Sequence, residues 1–264
     1  MLQLVDVGVV KDILITAGKT IMDIYRSDDF GTTIKKDDTP VTAADLSSNE
    51  YITKCLKQYY PEIPIISEEV AIPPYSLRAK YEYVWLLDPL DGTKEFVDKT
   101  DEFCINLALI HHGVPIMGFI YLPAFQALYY AIQGKGAYEI KDQYTTKLKV
   151  STYSPDESGI RVAASRSYMD DETQSYIDVL SKPKIIRLGS ALKFVSIAKG
   201  DTDYYPRMIH IREWDIAAGQ VIIEEAGGQL TDAHTGQPLT YNKDTMVTPH
   251  FIASGQTQLH EVHL

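Results

Sequence analysis

The sequence predicts an α/β protein, and three observations lead there. Two amphipathic helical patterns open the chain, strands with antiparallel spacing crowd its middle, and strands alternate with helices from about residue 150 onward. The alternation implies a largely parallel or mixed sheet covered by helices. At 264 residues, 45% of them hydrophobic, the chain can bury a substantial core as one large domain or two smaller halves.

Taken in order, Val7, Val10, Leu14, Ala17, Ile21, Ile24 and Tyr25 recur at helical spacing, so residues 7–26 form a helix facing a core. Residues 27–41 are polar and turn-rich. Thr42 suits the N-cap of a second helix, whose apolar set is Leu46, Ile52, Cys55, Leu56 and Tyr59. Pro61 and Pro64 end it. Residues 64–67 read as a short strand closed by Glu68-Glu69, and residues 71–82 as a charged, proline-containing connection. The apolar run Tyr83 to Leu87 is a buried strand that stops at Asp88, where Pro89 and Gly92 bend the chain. Strands over 103–110, 115–122 and 127–132 form an antiparallel meander, with turns at His111-His112-Gly113 and Pro123-Ala124-Phe125-Gln126. Gly134-Lys135-Gly136 lacks the phosphate-loop pattern and reads as a tight turn.

A seam near residue 150 divides an α+β half, 1–150, from an α/β half, 151–264. In the second half strands 160–164, 184–188 and 202–205 alternate with helices 170–181 and 191–199. Trp214-Asp215 opens a last helix with the small residues Ala217, Ala218 and Gly219, which ends at Gly227-Gly228. Strands near 229–231 and 251–253 follow.

The net charge of −11 and the lack of a long basic stripe argue against a polymeric nucleic acid partner. An acidic chain can still take a small phosphate compound where metal ions neutralise the contact. Cys55 and Cys104 lie in apolar patterns and read as reduced core residues of a cytoplasmic protein. No segment is long and apolar enough for an integral membrane span, and the N-terminus shows no signal-like pattern.

Chemistry concentrates at Asp88-Pro89-Leu90-Asp91-Gly92-Thr93. Two carboxylates and a turn carbonyl are hard oxygen ligands suited to Mg²⁺, and the Gly92 and Thr93 amides suit a phosphate. Asp-Pro and Asp-Gly are also ordinary turn dipeptides. Three more acids sit at element boundaries: Glu68 after a strand, Asp215 at a helix start and Asp45 in a helix's first turn. Acids at helix N-termini are common through the helix dipole alone. If these groups converge, their charge requires cations, and two divalent ions roughly 3.5–4 Å apart would clamp an in-line phosphoryl displacement.

Ser67-Glu68-Glu69, Asp88 to Thr93 and Trp214-Asp215-Ile216-Ala217-Ala218-Gly219 together resemble the inositol monophosphatase superfamily of metal-dependent phosphatases. Within it the chain is most similar to the CysQ-type 3'(2'),5'-bisphosphate nucleotidases. That similarity runs through Pro40-Val41-Thr42-Ala43-Ala44-Asp45, Lys94-Glu95-Phe96, Gly189-Ser190-Ala191-Leu192-Lys193-Phe194 and Tyr205-Pro206-Arg207. Inositol phosphatases commonly carry Asn where this chain has Glu95. Tyr168 stands where relatives often have His.

The resemblance implies a layered α-β-α-β-α sandwich with the site between its halves. It implies two or three Mg²⁺ ions, held by Glu68, Asp88, the Leu90 carbonyl, Asp91 and Asp215, with Lys36 near a third, weaker ion. Glu68 would also hold the attacking water through its metal. Thr93 and Asp45 would orient or deprotonate that water, and Gly92 and Thr93 would cradle the scissile phosphate. Ser190, Lys193 and Arg207 would contact the rest of a nucleotide substrate. Glu68, Leu90, Asp91 and Asp215, as metal ligands, border the substrate too. The implied reaction converts adenosine 3',5'-bisphosphate to AMP and phosphate without a phosphoenzyme, and extends to 3'-phosphoadenylyl sulfate, in sulfate assimilation. Some relatives associate with the cytoplasmic face of the inner membrane, although no amphipathic anchor is evident here. Two alternatives stand beside this reading: an inositol or other sugar monophosphatase, and a non-enzymatic nucleotide or metal sensor. His210, between two isoleucines, reads as structural.

Overall fold

A computed structural model describes residues 5–27, 30–31, 33–34 and 40–258. Lys36, with its expected metal role, lies outside the described residues. Helix α1 (Val7–Tyr25) starts where the Asp6 carboxylate accepts from the Gly8 amide. The antiparallel pair β1 (Thr33–Ile34) and β2 (Pro40–Val41) leads to α2 (Ala43–Tyr59), capped by Thr42. Next come β3 (Ile65–Ser67), α3 (Tyr75–Arg78), β4 (Tyr83–Asp91) and the short α4 (Thr93–Val97). Then follow β5 (Cys104–His111), β6 (Val114–Leu122), β7 (Ala127–Ile132), β8 (Gly136–Lys141), β9 (Tyr144–Lys147) and β10 (Thr152–Tyr153). The remainder is β11 (Arg161–Ser165), α5 (Asp171–Asp178), β12 (Lys184–Leu188), α6 (Leu192–Ala198), β13 (Tyr204–Arg207) and α7 (Glu213–Glu225). Strands β14 (Gln229–Asp232), β15 (Phe251–Ser254) and β16 (Gln256–Thr257) close the chain.

Strands β3 to β9 form a seven-stranded sheet in chain order, antiparallel except for the parallel β3–β4 pair. A five-stranded sheet has the order β12-β11-β13-β15-β14; its first three strands are parallel and β15 runs against both neighbours. Side-chain alternation explains the layers. On β4, Trp85 and Leu87 join the cluster of α1 and α2, whereas Val84 and Leu86 join that of α6 and α7. On β11, Ala163 faces α6 and α7, and Val162 packs with Ile177 of α5. The result is an α-β-α-β-α sandwich, with α6 and α7 between the sheets. A helix there must be apolar almost all round, and α7 buries every residue from Ile216 to Ile223. Its small residues permit close approach: a Cβ on Gly118 of β6 would lie 2.4 Å from the Ala218 carbonyl oxygen, and one on Gly219 would lie 2.5 Å from the Phe194 ring.

Some expectations are corrected. Leu46 and Tyr59 are exposed, 52% and 54%, because α2 turns Ala44, Asp45, Ser48, Ile52 and Leu56 inward instead. Two of those five are polar and serve the site, so apolar spacing alone misplaced the face. Strand β4 does not stop at Asp88; it runs on to Asp91 through a register shift. Strand β13 likewise includes Pro206 and Arg207. The β1–β2 pair, α3, β8, β9 and the short parallel pair β10–β16 gave no signal strong enough to be read from the sequence.

Candidate active site

Four elements deliver acids to one place. Ser67 ends β3 opposite Leu87, and the Glu68 amide donates to the Leu87 carbonyl at 3.1 Å, so Glu68 emerges beside Asp88. The irregularity between Asp88 and Asp91 accommodates Pro89, whose missing N–H costs least at a bulge. The Leu90 amide donates to Asp88 Oδ1 at 3.0 Å. Asp215 stands in the first turn of α7, where its Oδ2 accepts from the Arg212 amide at 3.1 Å. One carboxylate oxygen from each of Glu68, Asp88 and Asp215 lies within 4.8 Å of the other two.

Asp91 borders this trio. Its Oδ2 accepts from Ser190 Oγ at 2.7 Å and Asn106 Nδ2 at 3.2 Å. Burial pushes the Asp88 carboxyl well above the usual range, with the charges of Glu68, Asp91 and Asp215 adding to it. Burial and the charges of Asp91 and Glu68 do the same to Asp215. Burial also raises Asp91, against the pull of Ser190 and Lys193. Carboxylates that resist ionising together, with a neighbouring carbonyl and no nitrogen or sulfur donor in the trio, fit hard divalent cations such as Mg²⁺.

Gly92 turns the chain from β4 into α4 at φ 87°, and a Cβ there would sit 3.0 Å from the Glu102 carbonyl oxygen. Backbone and space both call for glycine. Thr93 Oγ1 then donates to Asp45 Oδ1 at 3.0 Å and lies 3.3 Å from the Leu90 carbonyl oxygen. Asp45 is buried; its Oδ2 accepts from the Thr42 amide at 2.7 Å and from Thr42 Oγ1 at 2.6 Å. Burial raises its pKa, and the Thr42 and Thr93 hydrogen bonds oppose that rise. Ser48 Oγ donates to the Pro89 carbonyl at 2.8 Å and ties α2 to the β4 irregularity.

Across the cleft, Lys193 is buried in the first turn of α6, donating to the Ser190 and Leu188 carbonyls. Desolvation pushes its pKa down to about 8, opposed by the charge of Asp91. Arg207 ends β13; its Nη1 donates to the Tyr168 carbonyl at 2.9 Å, while its buried Nε has no hydrogen-bond partner. A cavity of about 500 Å³ is lined by Glu68, Asp88, Leu90, Asp91, Gly92 and Thr93 from one side and by Ser190, Lys193, Arg207 and Asp215 from the other. Of the described residues singled out from sequence, Asp45 does not line it and is joined to it by Thr93. The Ser190 hydroxyl is engaged by Asp91.

The sequence reading missed several residues. Asn106 holds Asp91, and its signal was a lone amide in the apolar run of β5. Cys104, read as plain core, is buried but lies 2.9 Å from Ser190 Oγ and 3.7 Å from Asp91 Oδ2. Glu95, singled out from sequence only as a mark of the nucleotidase-like stretch and not as a site residue, lines the cavity and accepts from Ser167 Oγ at 2.8 Å. His210 pairs with the Thr248 carbonyl, as suits a structural residue, yet also lines the cavity.

Comparison with known proteins places the chain in a family. The model of the inositol monophosphatase family matches residues 5–264, and the chain belongs to that family of phosphatases. A similar protein is the 3'(2'),5'-bisphosphate nucleotidase CysQ of Salmonella typhimurium, 37% identical over 237 residues, which cover 89% of this chain and 94% of that one. The crystal structure of CysQ from Bacteroides thetaiotaomicron, a member of the same family, superposes with a TM-score of 0.82 at 32% identity, covering 95% of this chain and 97% of that one. An IMPase of Thermotoga maritima also superposes, with a TM-score of 0.76 at 27% identity, covering 92% of this chain and 89% of that one. Among the described residues, no helix is long and apolar enough to cross a membrane.

Proposed function

We propose that the chain is a Mg²⁺-dependent 3'(2'),5'-bisphosphate nucleotidase that hydrolyses adenosine 3',5'-bisphosphate to AMP and phosphate, acting in the cytoplasm on a by-product of sulfate assimilation. 3'-Phosphoadenylyl sulfate, with the same 3'-phosphate, is a second substrate. One observation carries the reading: two buried cations, Lys193 and Arg207, share a cavity with the carboxylates. A substrate with one phosphate at the acids needs no such pair, whereas a second phosphate does. The relatives named CysQ support the same substrate class.

Glu68, Asp88, Asp91, Asp215 and the Leu90 carbonyl would hold the ions. When bound, Mg²⁺ neutralises these acids, offsets charge on the phosphoryl oxygens and makes water more acidic. Thr93 gives its hydroxyl proton to the hydrogen bond with Asp45, which leaves its oxygen lone pairs to accept a proton from water. Asp45 is the final acceptor, and burial, by raising its proton affinity, suits it to that role. The two Thr42 hydrogen bonds fix Oδ2, so Oδ1 stays on Thr93. Gly92 and Thr93 would place the scissile phosphate at the start of α4, and Ser190 and Asn106 hold Asp91 in position.

The test is a side-by-side assay in Mg²⁺ of adenosine 3',5'-bisphosphate, 3'-phosphoadenylyl sulfate and inositol 1-phosphate. The nucleotides should show the higher kcat/KM, and Asp91→Asn should abolish their turnover. Faster turnover of inositol 1-phosphate would replace this reading with a sugar monophosphatase. Nucleotide binding without any turnover would replace it with a sensor.

A further inference from the structure

Histidines that the phosphatase chemistry does not use gather where β14 and β15 meet, at the end of the five-stranded sheet that also carries Arg207. His234 follows β14, His250 precedes β15, and Glu172 lies in the first turn of α5. One donor atom from each lies within 4.8 Å of the other two. The Nδ1 of His250 is shut off from water and has no hydrogen-bond partner. Its nearest acid oxygen, Glu172 Oε1, is 3.6 Å away, beyond the usual N–H···O range of about 2.7–3.2 Å. A nitrogen in that state is costly unless something occupies the gap.

The gap has the spacing of two ligands on one metal ion. Ligand bonds of about 2.0–2.1 Å in a tetrahedral site place two donors roughly 3.3 Å apart, close to the His250–Glu172 separation. Glu172 and His234 are exposed, so their side chains can turn to close the remaining distances. We propose that Glu172, His234 and His250 form a binding site for a transition-metal cation of the Zn²⁺ class, separate from the carboxylate centre. Two imidazoles and one carboxylate suit Zn²⁺ or its neighbours and disfavour Mg²⁺, and three protein ligands leave a fourth position for water.

The surroundings support it. A cavity of about 640 Å³ lies beside the cluster, lined by Asp232, Thr235 and Pro249, chain neighbours of the two histidines, and the exposed Glu172 and His234 leave the cluster open to solvent. His210 lines both this cavity and the catalytic one. Its ring lies 4.5 Å from that of His250, centroid to centroid, so the metal site adjoins the wall of the substrate pocket. The Nδ1 of His210 lies 2.7 Å from the Thr248 carbonyl, which can only accept, so that nitrogen carries the proton.

Zn²⁺ is titrated calorimetrically into the full chain at saturating Mg²⁺. One equivalent should bind. His234→Gln and His250→Gln should each weaken it by about tenfold or more, and Asp91→Asn should leave it unchanged. With the unsubstituted chain, Co²⁺ should broaden the imidazole NMR signals of His234 and His250 before those of other histidines, a readout that does not depend on any variant folding. Zn²⁺ binding that survives the double substitution, binding lost in Asp91→Asn, or Co²⁺ broadening elsewhere first would each overturn the assignment.

Discussion

Replacing Thr93 by Val tests the proton path while leaving the shape of the site almost intact. The substitution removes the one hydroxyl that joins Asp45 Oδ1 to the cavity, at 3.0 Å. Asp45 itself keeps both Thr42 hydrogen bonds on Oδ2. Loss of a positioned general base or its relay costs about 10²–10⁴ in rate, which corresponds to about 3–5 kcal/mol of transition-state stabilisation. The fold should lose less. One unmade hydrogen bond to a buried carboxylate costs about 1–3 kcal/mol, and Tm in a chain of this size falls by about 2–4 °C per kcal/mol. Phosphate release from adenosine 3',5'-bisphosphate in Mg²⁺ should therefore show kcat reduced at least a hundredfold, KM nearly unchanged and a folded protein. Thr93→Ser, which keeps the hydroxyl, should retain most activity. Asp45→Asn combined with Thr93→Val should be scarcely worse than either alone, because both break one path. A kcat within about threefold of the wild type for Thr93→Val, or equal losses for Val and Ser, would refute the relay.

Three further outcomes are expected. Removal of divalent ions with EDTA should lower Tm. Buried Asp88, Asp91 and Asp215 have raised pKa values, so the folded chain without ions holds more protons than the unfolded one above the ordinary carboxylate range, and stability should fall as pH rises through that window. Mg²⁺ at about a hundred times its Kd adds about 2.7 kcal/mol, and scanning calorimetry that found Tm independent of both Mg²⁺ and pH would contradict the carboxylate centre. Lys193 is charged below about pH 8 and neutral above it, so KM for the bisphosphate should rise as pH passes through that value. Lys193→Met should raise KM at pH 7 and flatten the alkaline rise; an unchanged profile would remove Lys193 from substrate binding. For stability the sign is opposite: between about pH 8 and the ordinary lysine value near 10.5 the unfolded chain binds the extra proton, so this group's contribution to stability grows with pH. Gly118→Ala places a Cβ 2.4 Å from the Ala218 carbonyl oxygen and should destabilise by about 1–3 kcal/mol in denaturant titration; no loss would show that the sheet and α7 are less closely packed than described.

Much of this protein is legible in its sequence because much of it is local chemistry. The spacing of apolar residues in α1, the Thr42 cap, the proline after Asp88 and the glycine after Asp91 each act within a few residues, and so leave a pattern there. The alternation of strands and helices after residue 150 followed from the same rules. What tertiary structure decided is which boundaries meet. Glu68 reaches Asp88 because β3 runs parallel to β4, and Asp215 reaches both because α7 is packed between two sheets by Gly118, Ala218 and Gly219. It also reversed a local expectation, since Asp45 and Ser48 turn inward where apolar spacing favoured Leu46 and Tyr59. Neither Asn106 against Asp91 nor His234 against His250 could be read from spacing, because contacts between residues distant in the chain are set by packing and carry no periodicity of their own.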